Sequence, residues 1–100
     1  MVLAGLEFDQ KRLQELCLRH GIQRLALFGS RLRGDARPDS DVDLLVEFQP
    51  GANVGLRFFR IQDELTGLFG QAVDLSTPAF LSPHFRDRVV KESVGIYEAS

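Results

Sequence analysis

The sequence predicts an α/β fold, with a small mixed β-sheet of about three to four strands flanked by helices. Three short apolar runs, residues 22–28, 41–48 and 71–77, have the length and composition of buried strands. Segments with helical periodicity precede and separate them. At 100 residues, of which 44% are hydrophobic and 26% charged, the chain has the size and composition of one globular domain, residues 1–100.

The elements are expected in the order helix, strand, short helix, strand, helix, strand, helix. The first helix covers about 9–20, and Asp9 is its N-cap. A short helix is predicted at 30–34, and a longer one at 55–69, where apolar residues recur at intervals of three and four. A last helix covers about 83–93. The second and third strands are joined through a helix and should be parallel, whereas the short link between the first and second favours an antiparallel pair.

Some apolar side chains on the helices are expected to pack in the core, and others to contact a partner chain. Phe85, Val89 and Val90 are expected to face inward from the last helix. Phe59 departs from the apolar stripe of helix 55–69 and is a candidate for contact with a partner chain. A homodimer or a hetero-oligomer would be compatible with such exposed apolar residues.

Composition and charge exclude several classes of protein. One cysteine cannot form an intramolecular disulfide, which suits a reducing cytosol and predicts a cytoplasmic protein. No apolar run approaches the ~18 residues that span a bilayer, and the N-terminus does not have the pattern of a signal peptide. A net charge of −2 argues against direct nucleic-acid binding, because proteins that bind nucleic acid on their own usually carry a basic face.

Two aspartates begin the second strand, in the stretch FGSRLRGDARPDSDVDLLVEF (residues 28–48). Asp41 and Asp43 alternate with apolar residues, so they point to the same face of the strand, about 7 Å apart. Two carboxylates this close repel one another unless a cation lies between them. A third, Asp74, stands alone in the apolar run AVDLST, where a charge is costly unless it is paired or bound to metal. If the third strand lies beside the second, the three carboxylates could hold two Mg²⁺ ions.

The Gly-Ser pair at the end of the first strand suits an anion. Gly29 lets the backbone approach a phosphate, because it has no Cβ, and Ser30 offers a hydroxyl at the start of the predicted short helix. Arg31 is a further candidate for a phosphate contact. The alternative is that these residues only form turns, since Asp-x-Asp and Gly-Ser are each common in proteins. The ten residues between Ser30 and Asp41, with the isolated strand aspartate downstream, favour the functional interpretation.

These motifs resemble the G-S-x(10)-D-x-D signature of the minimal nucleotidyltransferases, in the polymerase-β nucleotidyltransferase superfamily. The resemblance covers nearly the whole chain, including LRHGIQRLALFGS, QAVDLST and RDRVVKESVGIYEA. It implies transfer of AMP from ATP, with Mg²⁺, onto a tyrosine hydroxyl of a HEPN-domain toxin that is encoded beside it, with this chain as the antitoxin. By motif position, Asp41 and Asp43 are the metal-binding pair, Asp74 is the third carboxylate, acting as metal ligand or as base, and Gly29 and Ser30 hold the triphosphate.

Two other functions remain open at the level of sequence. The chain could be a binding module that blocks its toxin by covering it, without catalysis. It could also modify a small molecule, as the similar antibiotic-modifying nucleotidyltransferases do. Those enzymes close the acceptor site with a further helical domain, which a partner would have to supply here. A domain of this size has little room for a deep second pocket, which favours an acceptor presented by another protein.

Overall fold

The structure, a computed structural model, describes residues 2–3, 6–29 and 41–99. Strands β1 (Val2–Leu3) and β2 (Leu6–Glu7) precede helix α1 (Gln10–Arg19) and strand β3 (Ile22–Phe28). From residue 41 onward the order is β4 (Val42–Phe48), α2 (Arg57–Phe69), β5 (Val73–Ser76), a 3-10 helix (Pro78–Phe80), α3 (Arg86–Glu92) and β6 (Val94–Glu98). No helix within these ranges is both long and apolar enough to cross a membrane.

Four strands form the central sheet in the order β5-β4-β3-β6, and β1 pairs with β2 in a separate hairpin. Strand β3 is antiparallel to both of its neighbours, whereas β4 and β5 are parallel and are joined through α2. Both predicted orientations are therefore confirmed, as is the mixed sheet flanked by helices. The parallel pair matters for function because it brings the first residues of β4 and β5 to the same end of the sheet.

The hydrophobic core lies between one face of the sheet and helices α1 and α2. Alternate residues of the strands point into it, among them Leu25, Leu27 and Leu44, all at most 1% exposed. Helix α1 buries Leu13, Leu16 and Cys17, the stripe that helical periodicity predicts, and α2 buries Ile61 and Leu65 of its predicted stripe, with Phe69 in addition. Asp9 caps α1 by accepting hydrogen bonds from the backbone N–H groups of Lys11 and Arg12. The opposite face of the sheet carries Asp43 and Asp74 together with the buried Ala26 and Leu45.

A polar contact joins the two helices at the edge of the core. His20, which ends α1, is buried, and its Nε2 is hydrogen-bonded to Glu64 of α2. Arg19 donates to the other oxygen of the same carboxylate at 3.1 Å. The arrangement satisfies a buried imidazole, which would otherwise be costly to remove from water.

The two outer edges of the sheet differ. On β5, the N–H groups of Val73 and Leu75 point away from β4 and donate to the side chains of Thr66 and Gln62 of α2, at 3.2 and 3.0 Å. On the other side, the described residues place no strand beyond β6. Helix α2 therefore closes one edge of the sheet.

The structure corrects the expected packing of the last helix. Phe85 was predicted to face inward, but it is 58% exposed, and Val89 is only half-buried. Helix α3 has only seven residues and none of them is buried. It is held instead by Arg86, whose guanidinium donates to the carbonyl oxygens of Pro78 and Leu81 at 2.8 and 3.2 Å. The short helix predicted at 30–34 lies outside the described residues.

Candidate functional site

Strand register places two of the three predicted carboxylates side by side. Asp43 and Asp74 are Cα partners in the parallel pair β4 and β5, and neighbouring strands lie about 4.8 Å apart. Their neighbours in each strand, such as Val42 and Val73, are buried in the core, so both aspartates project from the opposite face. Asp43 is half-buried and Asp74 is exposed. Two like charges directly opposite each other destabilise a sheet unless a cation or a hydrogen bond offsets them.

Asp41 lies at the entrance to the same strand. It is exposed and immediately precedes β4, whose first residue, Val42, donates to the carbonyl of Ala72 at 2.8 Å. That bond extends the pairing of β4 with β5 to the point where Asp41 begins. Asp41 and Asp43, two residues apart, therefore stand at one end of the sheet together with Asp74.

The chain at the end of β3 approaches the same carboxylate from the other side. Phe28 is the register partner of Asp43, and Gly29 follows with a φ of +84°. A Cβ on Gly29 would overlap Oδ2 of Asp43 and would lie 3.0 Å from its Cγ. No other residue type can keep this backbone conformation and this proximity together. Sequence reasoning selected Gly29 for a phosphate and missed its contact with Asp43, which only the pairing of β3 with β4 reveals.

Two of the predicted nucleotide-binding residues, Ser30 and Arg31, lie outside the described residues. Of the predicted site residues, the described ones are thus Gly29, Asp41, Asp43 and Asp74, contributed by the ends of three adjacent strands.

The donor chemistry of this sheet end suits magnesium. Over the described ranges, no three acidic, histidine or cysteine side chains are arranged to hold an ion by themselves. Mg²⁺ commonly takes one or two carboxylates and fills its other positions with water and substrate phosphates. The neighbouring carboxylates Asp43 and Asp74, with Asp41 at the strand entrance, provide that set, and all of their donor atoms are oxygens. These residues fit a Mg–nucleotide complex better than a closed protein metal site.

Comparison with known proteins identifies the family. The family model described as "Nucleotidyltransferase domain" matches residues 10–96, from the start of α1 into β6. The chain belongs to the nucleotidyltransferase family. The predicted resemblance to nucleotidyltransferases is thereby confirmed over residues 10–96.

Two archaeal relatives share a third or more of the aligned residues. Protein adenylyltransferase MntA of Thermococcus cleftensis is 37% identical over 81 residues, which are 81% of this chain and 81% of that protein. A candidate protein adenylyltransferase of Methanocaldococcus jannaschii, MJ0435, is 33% identical over 87 residues, which are 87% of this chain and 92% of that protein.

Solved structures show the same fold. A candidate minimal nucleotidyltransferase is 41% identical, with a TM-score of 0.70, over 85% of this chain and 86% of that one. A chain of a toxin–antitoxin complex with AMP-PNP aligns with a TM-score of 0.69 at 19% identity, over 92% of this chain and 75% of its own. A complex of a tri-AMPylated Shewanella oneidensis HEPN toxin with its MNT antitoxin gives 0.61 at 17% identity, over 90% and 70% of the two chains. At these lower identities the likeness establishes the nucleotidyltransferase fold alone.

Proposed function

We propose that this nucleotidyltransferase transfers AMP from ATP to a tyrosine hydroxyl of a HEPN-type toxin and serves as the antitoxin of that protein. The observation that carries the proposal is the pairing of Asp43 with Asp74, with Gly29 packed against Asp43. It supplies adjacent carboxylates and a close backbone approach at one sheet end, as a nucleotide bound through magnesium requires. Relatives named protein adenylyltransferases and a structural neighbour that contains an AMPylated HEPN toxin support the acceptor class.

In the proposed reaction, the acceptor oxygen forms a bond to the α-phosphorus of ATP. The bond from that phosphorus to the bridging oxygen breaks, and pyrophosphate leaves with the bonding electrons. Asp74 is proposed to be the base that accepts the hydroxyl proton, or a third metal ligand beside Asp41 and Asp43, in which case the proton passes to solvent. Bound Mg²⁺, two ions in this proposal, would supply the positive charge that stabilises the phosphates during transfer.

The triphosphate is proposed to lie along the end of β3. Gly29 allows close approach of a phosphate, and Ser30 and Arg31 extend the nucleotide-binding stretch by their positions in the sequence. Little covalent chemistry is required of the protein in such a transfer, so positioning and charge stabilisation account for most of the catalysis. We further propose that residues 1–100 act as a single domain in the cytoplasm.

The test is intact-mass spectrometry of the HEPN-domain protein encoded beside this chain, incubated with Mg-ATP. Parallel reactions contain the wild-type chain, the Asp41→Asn, Asp43→Asn double variant, Asp74→Asn, or Glu98→Gln. The last is a matched control, because Glu98 is an exposed acid that pairs with Arg24, at the end of β3 opposite to Gly29. AMP adducts that require the three site aspartates but not Glu98 would support the proposal, and tandem mass spectrometry would locate the tyrosine.

Other results would select the other functions. A stable complex without any mass change would show that the chain neutralises its partner by covering it. If the partner stays unmodified and a small molecule is adenylylated, the chain is a small-molecule enzyme whose second domain is supplied by the partner. Loss of AMP transfer in Glu98→Gln as well would show that the effect of the site variants is not specific to the site.

A further inference from the structure

An exposed aromatic cluster lies where α2 begins and the 3-10 helix ends. The ring of Phe58 contacts Phe59 and Phe80 edge-on, with centroid distances of 5.9 and 5.8 Å. Phe59 is 61% exposed and Phe80 71%, and the preceding Leu56 is 85% exposed. We call these four residues, Leu56, Phe58, Phe59 and Phe80, the aromatic ridge. The outer three expose roughly 400 Å² together, within the range of the largest apolar patch on a typical monomer, which is often functional.

Folding alone does not account for this surface. Phe58 is half-buried and packs against the core, so it anchors the cluster. Phe59 and Phe80 add their rings to the outer side of that anchor and remain largely in water. Exposed aromatic side chains that are rigidly held by a partly buried neighbour are typical of interaction surfaces, because they lose little conformational freedom on binding.

Charge around the ridge indicates what kind of surface it fits. Arg57 and Arg60 are exposed on the same turns of α2, and neither makes an ion pair with any residue in the described ranges. Asp63, one turn further along, is the nearest acidic residue of the exposed helix surface and leaves the segment net positive. The chain as a whole carries a net charge of −2, so a cationic border around an apolar centre contrasts with the rest of the protein. Arginine at the rim of an aromatic patch complements carboxylates on a partner.

The ridge lies at the other end of the sheet from the aspartates, because α2 begins after β4 ends and the 3-10 helix follows the end of β5. Phe80 follows Asp74 by six residues, so their Cα atoms are at most about 21 Å apart. The 3-10 helix that carries Phe80 packs against β4, the strand of Asp43. A protein that docks at the ridge would have to extend about 20 Å along the sheet to reach the nucleotide site, which is less than the ~30 Å diameter of a small domain.

We propose that the aromatic ridge is the surface on which the acceptor protein docks, through an apolar face that is bordered by Asp and Glu side chains. This inference rests on the proposed function in that the acceptor is a protein. The apolar centre would provide most of the affinity, and the arginines would select an acidic rim and accelerate the encounter.

The test measures binding of the unmodified HEPN-domain protein to this chain without ATP, by isothermal titration calorimetry. Phe59→Ser with Phe80→Ser should weaken binding by about 30-fold or more, the usual effect of losing central aromatic contacts. Arg57→Glu with Arg60→Glu should weaken it at low salt and by less at high salt, because salt screens exposed charges. The matched controls are Leu18→Ser, since Leu18 is 71% exposed on α1, and Arg12→Glu on the same helix. Both controls should bind as the wild type does.

The outcomes separate docking from catalysis. Ridge variants should raise the KM for the acceptor and leave transfer at saturating acceptor near the wild-type rate. Unchanged affinity in the ridge variants, or AMP transfer by a wild type that shows no measurable binding, would overturn the docking surface and leave the proposed function intact. Binding that depends on the ridge, without any AMP transfer, would overturn the proposed function and leave the docking surface intact. If light scattering shows a wild-type dimer that the ridge variants abolish while acceptor binding persists, the occupant is a second copy and the proposal is wrong.

Discussion

Replacing Gly29 by Ala gives a sharp test of how the turn after β3 positions Asp43. Gly29 has a φ of +84°, which costs an L residue about 1–2 kcal/mol. The added methyl group would also overlap Oδ2 of Asp43 and stand 3.0 Å from its Cγ and 3.1 Å from its Cβ. The oxygen has to move by about 1 Å to reach ordinary van der Waals distance. A displacement of that size in a catalytic group lowers the rate by about 100-fold.

The control for backbone strain is Gly51→Ala. Gly51 has nearly the same φ, +83°, but a Cβ there would meet no atom within 4 Å. Both variants should lose about 1–2 kcal/mol of unfolding free energy from the left-handed conformation, which corresponds to roughly 4–8 °C in Tm for each kcal/mol in a domain of this size. Only Gly29→Ala should lose further stability and transfer activity, because only it displaces a carboxylate.

The assay combines thermal unfolding of each variant with the rate of AMP transfer from Mg-ATP. A third protein, Gly29→Ala in an Asp43→Ala background, separates the clash from the strain, since removing the carboxylate removes the overlapping oxygen. The free energy of unfolding of this double variant should then be lower than that of Asp43→Ala alone, by little more than the loss measured for Gly51→Ala. If Gly29→Ala matches Gly51→Ala in both stability and activity, the close approach of Gly29 to Asp43 does not constrain the site, and the reasoning is refuted.

Three further predictions concern the rest of the molecule. Mg-ATP should raise the unfolding free energy of the wild type by more than that of Asp74→Asn, because a ligand that binds the native state stabilises it and the variant has one carboxylate fewer at the site; denaturant titration with and without Mg-ATP measures both increments, and equal increments would contradict the prediction. Glu64→Ala should cost about 1–3 kcal/mol by leaving His20 buried without its carboxylate, whereas an equal loss in Asp63→Ala would contradict this. Burial raises the pKa of the Cys17 thiol to about 12 from 9.0, so iodoacetamide should label this thiol only in molecules that have unfolded. The free energy of unfolding should fall as the pH rises from about 9 to 12, because in that range the thiol ionises only in the unfolded chain.

The strands and helices with strong apolar patterns were predictable from sequence. Strand β3 has the predicted bounds, 22–28, and β4 begins one residue later than expected. These segments are buried in the core, where local apolar content and tertiary environment agree. Strands β1 and β2 have two residues each and present no periodicity. Strand β6 follows α3 directly and contains a glycine, so its sequence has neither a preceding break nor a continuous apolar run.

The sequence selected the candidate site residues, whose roles stay predictions, but it indicated only part of their geometry. Charge in an apolar strand identified Asp74, because an unpaired carboxylate there needs an explanation. Its partnership with Asp43 depended on β5 lying beside β4, which sequence allowed but did not require. The approach of Gly29 to Asp43 and the pairing of His20 with Glu64, 44 residues apart, are long-range contacts. No local pattern records such contacts, because they arise from how the strands and helices assemble.

The unequal edges of the sheet limit how this fold can associate through its backbone. Since Thr66 and Gln62 occupy the outward N–H groups of β5, an incoming strand finds few free donors there. Among the strands that the structure describes, this leaves β6 as the outer strand at which a further strand could pair. Two molecules joined antiparallel through β6 would each present a blocked β5 at the far side, so pairing would stop at two copies. By blocking strand addition at β5, Thr66 and Gln62 of α2 oppose the growth of fibrils, independently of any role of that helix in binding a partner.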